Sequence, residues 1–265
     1  MSLKLLTVGK MVKYDKPLHV VSAQIGELGI TLGQTTVSDK SNEIPAVRDL
    51  LEMLKIEGCI VVADAMHCQK ETAKAIIKAG ADYVLSVKDN QEKLKENIEN
   101  RVQNDEFRMG MDMHSTEGKK SGRYEIRTAY STCDIDWLDN KNEWENIVCV
   151  GAVNTQFTTK KGTSNEWHYF ISSRCLSAKE LLHHVRMEWS VETMHWFLDV
   201  HFGEDFCRVE DADIQQNLNM IRKVAINNIK TYKTNNNDKT PVSRILLGCL
   251  LEPAKILDIL DVGEN

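Results

Sequence analysis

The 265-residue chain can hold one large α/β domain or a domain with an insertion, and its 42% hydrophobic content is ample for a core. A formal net charge of −6 argues against a protein that simply coats nucleic acid, although a local basic face stays open. No apolar run approaches the ~20 residues that span a bilayer, the N-terminal apolar stretch is too short for a secretory signal, and seven scattered Cys without a C-x-x-C pair suggest neither a disulfide framework nor a zinc site. The expectation is a cytoplasmic chain, without membrane contact, whose thiols are reduced.

From the N-terminus, residues 3–8 form a short apolar run closed by Gly9-Lys10, and Tyr14-Asp15-Lys16-Pro17 is a turn. Residues 18–23 and 30–37, separated by a Gly26–Gly29 turn, are the next two strands. Short turns between them imply an antiparallel meander. Ser41-Asn42-Glu43 offers helix-start chemistry, Ile44, Val47, Leu50, Leu51 and Leu54 recur at helical spacing, and Gly58 stops the pattern. Ile60-Val61-Val62-Ala63 is then a strand buried on both faces, residues 69–79 a helix ended by Gly80, and residues 83–87 a fifth strand. Three strands, helix, strand, helix, strand is the ribonuclease H-like order: a meander feeding two parallel crossovers.

Asp64 ends the apolar run, at the place where a central strand of an open sheet spills onto its ligand crevice. A plain alternative stays open, since Asp is also a good helix N-cap.

Residues 92–101 give a charged helix with a solvated face. Residues 104–122 are polar and contain Gly110, Gly118 and Gly122, so a mobile loop is expected there. Strand candidates at 124–132, 147–153 and 167–172 follow, and this middle part is expected to extend the sheet or make a small β lobe. The fold expected is therefore α/β, a ribonuclease H-like mixed sheet with a β-rich insertion before the last helix of the site. Its core covers 1–91 and 174–232, its insertion 92–173, and a C-terminal tail 233–265 in which Asn235-Asn236-Asn237-Asp238 is a disordered link. Residues 222–244 carry six Lys or Arg against one Asp.

A continuous helix over 178–197 puts Leu182, Val185, Trp189, Glu192 and Trp196 on one stripe, so a carboxylate takes a position otherwise apolar and aromatic. An unpaired buried carboxylate is costly, so Glu192 calls for a cation. A metal ion or Arg186 would serve, and His195 is a further candidate ligand.

The segments Val61-Val62-Ala63-Asp64-Ala65-Met66-His67-Cys68-Gln69-Lys70, Gly80-Ala81-Asp82-Tyr83-Val84-Leu85-Ser86-Val87-Lys88-Asp89-Asn90-Gln91 and Glu188-Trp189-Ser190-Val191-Glu192-Thr193-Met194-His195-Trp196-Phe197-Leu198-Asp199-Val200 resemble the H-repeat-associated, ISAs-type insertion-sequence transposases. The likeness runs from about Leu5 to the end of the chain. It implies a DDE core that holds two Mg²⁺ (or Mn²⁺) ions and cuts and joins DNA at transposon ends, with Asp64 as the second catalytic Asp and metal ligand and Glu192 as the catalytic and metal-binding Glu. Two hard cations about 3.5 to 4 Å apart activate the attacking oxygen and stabilise the leaving one in such displacements.

The chain departs from the family pattern at its first strand. Thr7-Val8-Gly9-Lys10 stands where the resemblance expects Asp-Gly-Lys, so Val8 replaces the first catalytic Asp and cannot bind a metal. Asp15 lies beyond that strand and is a poor substitute. Little precedes Leu3, so the expectation is an N-terminally truncated, catalytically impaired transposase; a non-catalytic DNA-binding or dimerising remnant is the alternative. Lys88, Asn90 and Gln91 match the family's Lys-x-Asn-Gln segment and are expected near the scissile phosphate, or else form a polar turn. Arg123 and Arg127 are candidate phosphate contacts, which give affinity without sequence information. Ser121 stands where the family usually has His. Trp189 and Trp196 are expected in the core. The partners implied are DNA and, in a possible homodimer, a second copy.

Overall fold

The computed structural model describes residues 2–11, 18–26, 28–37, 43–120, 123–159, 162–189, 191–209 and 211–260, with the backbone alone for 4–11, 18–19, 43, 120, 123, 188–189, 191–195 and 205. The early apolar and β-branched runs become β1 (Ser2–Met11), β2 (Leu18–Ile25) and β3 (Ile30–Val37). Each pairs antiparallel with the next, Leu5 opposite Ala23 and Ser22 opposite Gln34. The expected turn containing Asp15 lies outside the described residues.

Helix α1 (Glu43–Met53) tolerates Pro45 because the first turn of a helix has no internal acceptor for its N–H groups. Strand β4 (Ile60–Ala63), helix α2 (Lys70–Lys78) and strand β5 (Asp82–Val87) then follow as two crossovers. Gly58 and Gly80 sit at positive φ, +71° and +74°, which L side chains rarely adopt, and the N–H of Gly58 donates to the carbonyl of Gly80 at 2.8 Å. Parallel pairing places Leu3 beside Val61 and Val61 beside Tyr83.

The central strands are covered on both sides, as a continuous apolar run requires. Val61, Ala63, Tyr83 and Leu85 pack with Leu50, Leu51 and Ile76 on one face. Ile60, Val62 and Val84 pack with Leu181, Leu182 and Val185 on the other.

Helix α3 (Glu92–Gln103) keeps its charges outside and buries Leu94, Ile98 and Val102, one per turn. The stretch expected as a loop is instead helix α4 (Asp105–Met109) and strand β6 (Asp112–Lys120). Asn104 starts the helix by accepting from the N–H of Phe107 at 3.0 Å. The strand is an outer one with a single partner, so polar residues and Gly118 suit it and hide it from an apolar pattern search. It pairs with β7 (Arg123–Thr132), then β8 (Cys149–Thr159) and β9 (Gly162–Ser172) complete the insertion. β9 returns antiparallel to β5, with Val84 opposite Ser172. The result is one mixed sheet of nine strands, ordered β3-β2-β1-β4-β5-β9-β8-β7-β6. The insertion thus lengthens the sheet and makes no separate lobe.

Over the helix expected at 178–197 the described residues are helical, as α5 (Ala178–Trp189) and α6 (Val191–Phe202), and Ser190 between them lies outside the described residues. The Trp196 side chain is 52% exposed, not in the core. It stacks edge-on against His201, with ring centres 4.9 Å apart.

Helix α7 (Ala212–Asn235) lies along β3, and α8 (Val242–Leu251) and α9 (Ala254–Ile259) follow it. Asn235 to Asp238 is an ordered helix end, not a disordered link: the N–H groups of Asn236 and Asp238 donate to the carbonyls of Tyr232 and Lys233 at 3.0 and 2.8 Å. Part of the basic tail points inward. Lys223 is 2% exposed and donates to Ser22 Oγ at 2.6 Å and Gln34 Oε1 at 2.8 Å, while Lys230 donates to the carbonyl of Gly29 at 2.7 Å. Burial pushes both amines down to about 8.

Cys133 and Cys175 form a disulfide, against the expectation of reduced thiols throughout. Their separation of 42 residues gives no sequence signature. The fold supplies one: Ser131 Oγ donates to the carbonyl of Leu176 at 2.6 Å, so the end of β7 runs beside the segment entering α5. Among the described residues, no helix is long and apolar enough to cross a membrane.

Candidate active site at the ends of the parallel strands

Asp64 follows β4 directly, and its extended backbone (φ −69°, ψ 174°) continues the strand by one residue. By alternation it belongs with Ile60 and Val62, the set that faces α5. Its side chain is 53% exposed and makes no capping bond to the single 3-10 turn Ala65–His67 that follows. Gln69, not Asp64, stands at the N-cap of α2. The capping alternative therefore fails, and an exposed carboxylate is left at the mouth of a buried strand.

His67 is fully buried, with Nε2 4.0 Å from Asp64 Oδ1. Burial pushes its imidazole below the ordinary histidine range, and the Asp64 carboxylate pulls it partly back. Burial also pushes the Cys68 thiol up to about 12, so the cysteine beside the site is an inert packing group.

The Asp64 segment is clamped from the neighbouring strand. Asn90 donates from Nδ2 to the carbonyl of Ala65 at 2.6 Å, and Gln91 donates from Nε2 to the carbonyl of Cys68 at 2.9 Å. Both follow β5, which runs parallel to β4, so the two loops emerge side by side. The sequence reading, a place near the scissile phosphate or a polar turn, does not include this clamp. Its signal was present, as two amides stand just after the strand expected next to Asp64. Lys88, at the end of β5, is exposed.

The remaining candidates are placed as follows. Val8 lies in β1 opposite Val20. The parallel pairing ends at Lys4 beside Val62, so counting on by two sets Leu6 level with Asp64 and Val8 two positions further along the same strand. Glu192 lies in the first turn of α6, and its side chain and that of His195 are outside the described residues. Arg127, on β7, pairs with Glu125 two residues before it. The side chain of Arg123 is outside the described residues, as is Ser121.

The resemblance implies a pair of divalent ions, and the side chain of one implied ligand, Glu192, lies outside the described residues. Asp64 supplies a carboxylate and Val8 supplies none. Among the described residues there is no group of three or more His, Cys, Asp or Glu side chains that could hold a metal ion.

A meander feeding two parallel crossovers, with an aspartate at the mouth of β4, is a ribonuclease H-like arrangement. The chain belongs to the Transposase DDE domain family, whose model matches residues 14–228. It is 35% identical over 222 residues to "Putative transposase YncI" of Escherichia coli O157:H7, covering 82% of this chain and 57% of that protein. It is 34% identical over 236 residues to "H repeat-associated putative transposase YhhI" of Escherichia coli K12, covering 83% of this chain and 62% of the relative. The chain thus spans about three fifths of the length of these relatives. Its fold resembles a piggyBac transposase solved by cryo-EM as a synaptic complex with hairpin DNA, at a TM-score of 0.52 and 10% identity, covering the whole of this chain and 54% of that one.

Proposed function

We propose that the chain is the DDE domain of an insertion-sequence transposase that engages DNA at the Asp64 end of the sheet and is impaired in cleavage. The single observation behind the impairment is Val8 on the strand beside Asp64. Asp64 and Glu192 are the carboxylates retained for the two-metal DDE reaction, Lys88 contacts phosphate, and Asn90 and Gln91 hold the Asp64 loop next to the DNA. Val8 leaves the three-carboxylate set of that reaction one short.

The test is nicking of DNA carrying the element's ends, with Mg²⁺ or Mn²⁺, by the chain as it stands and by Val8→Asp. The expected result is little cleavage by the former, salt-sensitive DNA binding by both, and a gain of activity or metal affinity in Val8→Asp. Strong cleavage by the unaltered chain that disappears in Asp64→Ala would overturn the impairment. Binding without cleavage in both proteins favours the non-catalytic, DNA-binding remnant.

A further inference from the structure

A second basic feature lies on α5. Along the exposed side of α5, Lys179, His183 and Arg186 recur at intervals of four and three residues, so they share one helix face. That face looks into a groove of about 490 Å³ whose other wall is the outer strand β6, with His114 and Thr116, and whose end is closed by Gly26. Among the described residues, every ionisable side chain lining it is Lys, Arg or His. On a chain of net charge −6 this is a local reversal of sign. The groove's end is at the start of β1, since the N–H of Gly26 donates to the carbonyl of Ser2 at 2.9 Å and Ser2 pairs with Ile60. The four steps from Ile60 to Asp64 make about 13 Å of strand, so the Gly26 end of the groove is at the other end of β4 from Asp64.

We infer that this groove is a phosphate-tracking site for duplex DNA, separate from the Asp64 crevice and resting on the DNA-binding part of the reading above. From Lys179 to Arg186 the helix rises about 10 Å, which matches roughly three phosphates at 3.4 Å of axial spacing. Guanidinium and ammonium groups bind such oxygens without reading sequence. Thr116 and the two histidines add hydrogen-bonding groups along the same line.

The experiment measures the affinity of the whole chain for a labelled 20–30 base-pair duplex (roughly 70–100 Å) between about 50 and 200 mM salt. Each neutralised phosphate contributes about 0.9 to the logarithmic slope, so Lys179→Gln with Arg186→Gln lowers the slope by about 1.8 and shrinks the affinity loss across that range about tenfold. Arg186→Lys keeps the charge and keeps the slope. Lys74→Gln with Lys78→Gln, on the exposed side of α2 across the sheet, changes net charge equally and leaves the slope intact. An unchanged slope in the Lys179 and Arg186 pair, or an equal change in the α2 pair, would overturn the groove while leaving DNA binding in place. No binding of DNA by the unaltered chain overturns both the groove and the reading it rests on. Tighter binding of an RNA duplex of equal length overturns the assignment to DNA.

Discussion

Asn90 donates its side-chain amide to the carbonyl oxygen of Ala65 at 2.6 Å, tying the residue after Asp64 to the loop that follows the neighbouring strand. Gln91 repeats the device three residues further on, at Cys68. The carboxylate at the strand mouth is therefore held by its backbone while its side chain stays open to solvent. Asn90→Ala is expected to cost about 1 kcal/mol of stability, the usual net worth of such a bond. Chemical denaturation measures that loss, and faster amide exchange confined to residues 65–69 locates it. An unchanged exchange pattern there would mean that the clamp does nothing.

The path from Gly58 to Gln91 was legible because every signal in it agreed: two glycine stops, two apolar runs of strand length and one helical repeat between them. Asp64 stood out as the only charge at the end of the first run. The signals that failed were local conflicts. Strand β6 has the composition of a loop because it needs to satisfy only one neighbour. Lys223 looked like part of a solvated basic tail, and only the packing of α7 on β2 and β3 turns it inward.

The disulfide has a redox-dependent consequence. In the chain-entropy account, closing a loop of 42 residues stabilises the fold by about 4 kcal/mol. Cys133→Ser with Cys175→Ser is expected to lower the denaturation midpoint of oxidised protein, and to match the unaltered chain once both are reduced. A thiol count on unfolded, unreduced protein checks the bond directly. Seven titratable thiols in place of five would remove the effect.

Gly151, on β8, lies under Leu181 of α5. A Cβ built there would run into Leu181 Cδ2 and lie 3.3 Å from the carbonyl of Tyr130. Gly151→Ala is therefore expected to destabilise by about 1–3 kcal/mol through overpacking. Leu181→Ala in the same chain should recover part of that loss, because the methyl group then has room. Equal destabilisation by the single and double variants, beyond the cost of Leu181→Ala alone, would place the strain elsewhere.

The buried lysine of α7 gives the fold a dependence on pH that runs opposite to ordinary base denaturation. Burial lowers Lys223 from 10.5 to about 8, and the nearby Glu204 carboxylate only partly opposes it. Glu204 is itself raised by burial, against the hydrogen bond from Asn219 at 2.5 Å and the pull of Lys223, so desolvation dominates both partners. Between pH 8 and 10.5 the unfolded chain holds a proton at this position that the folded chain has released, so stability from Lys223 rises with pH across that window. The slope is at most about 1.4 kcal/mol per pH unit. Below pH 8 the ammonium is charged in both states and the contribution is flat. Lys223→Met loses the bonds to Ser22 and Gln34 but also the titration, so its stability relative to the unaltered chain should fall as pH is raised from 8 to 10. Urea denaturation at several pH values on both proteins gives that difference directly, free of the opposing titrations of Tyr83 and Cys68 that the two share. A difference that stays constant across the window would mean that Lys223 keeps its ordinary basicity in the fold.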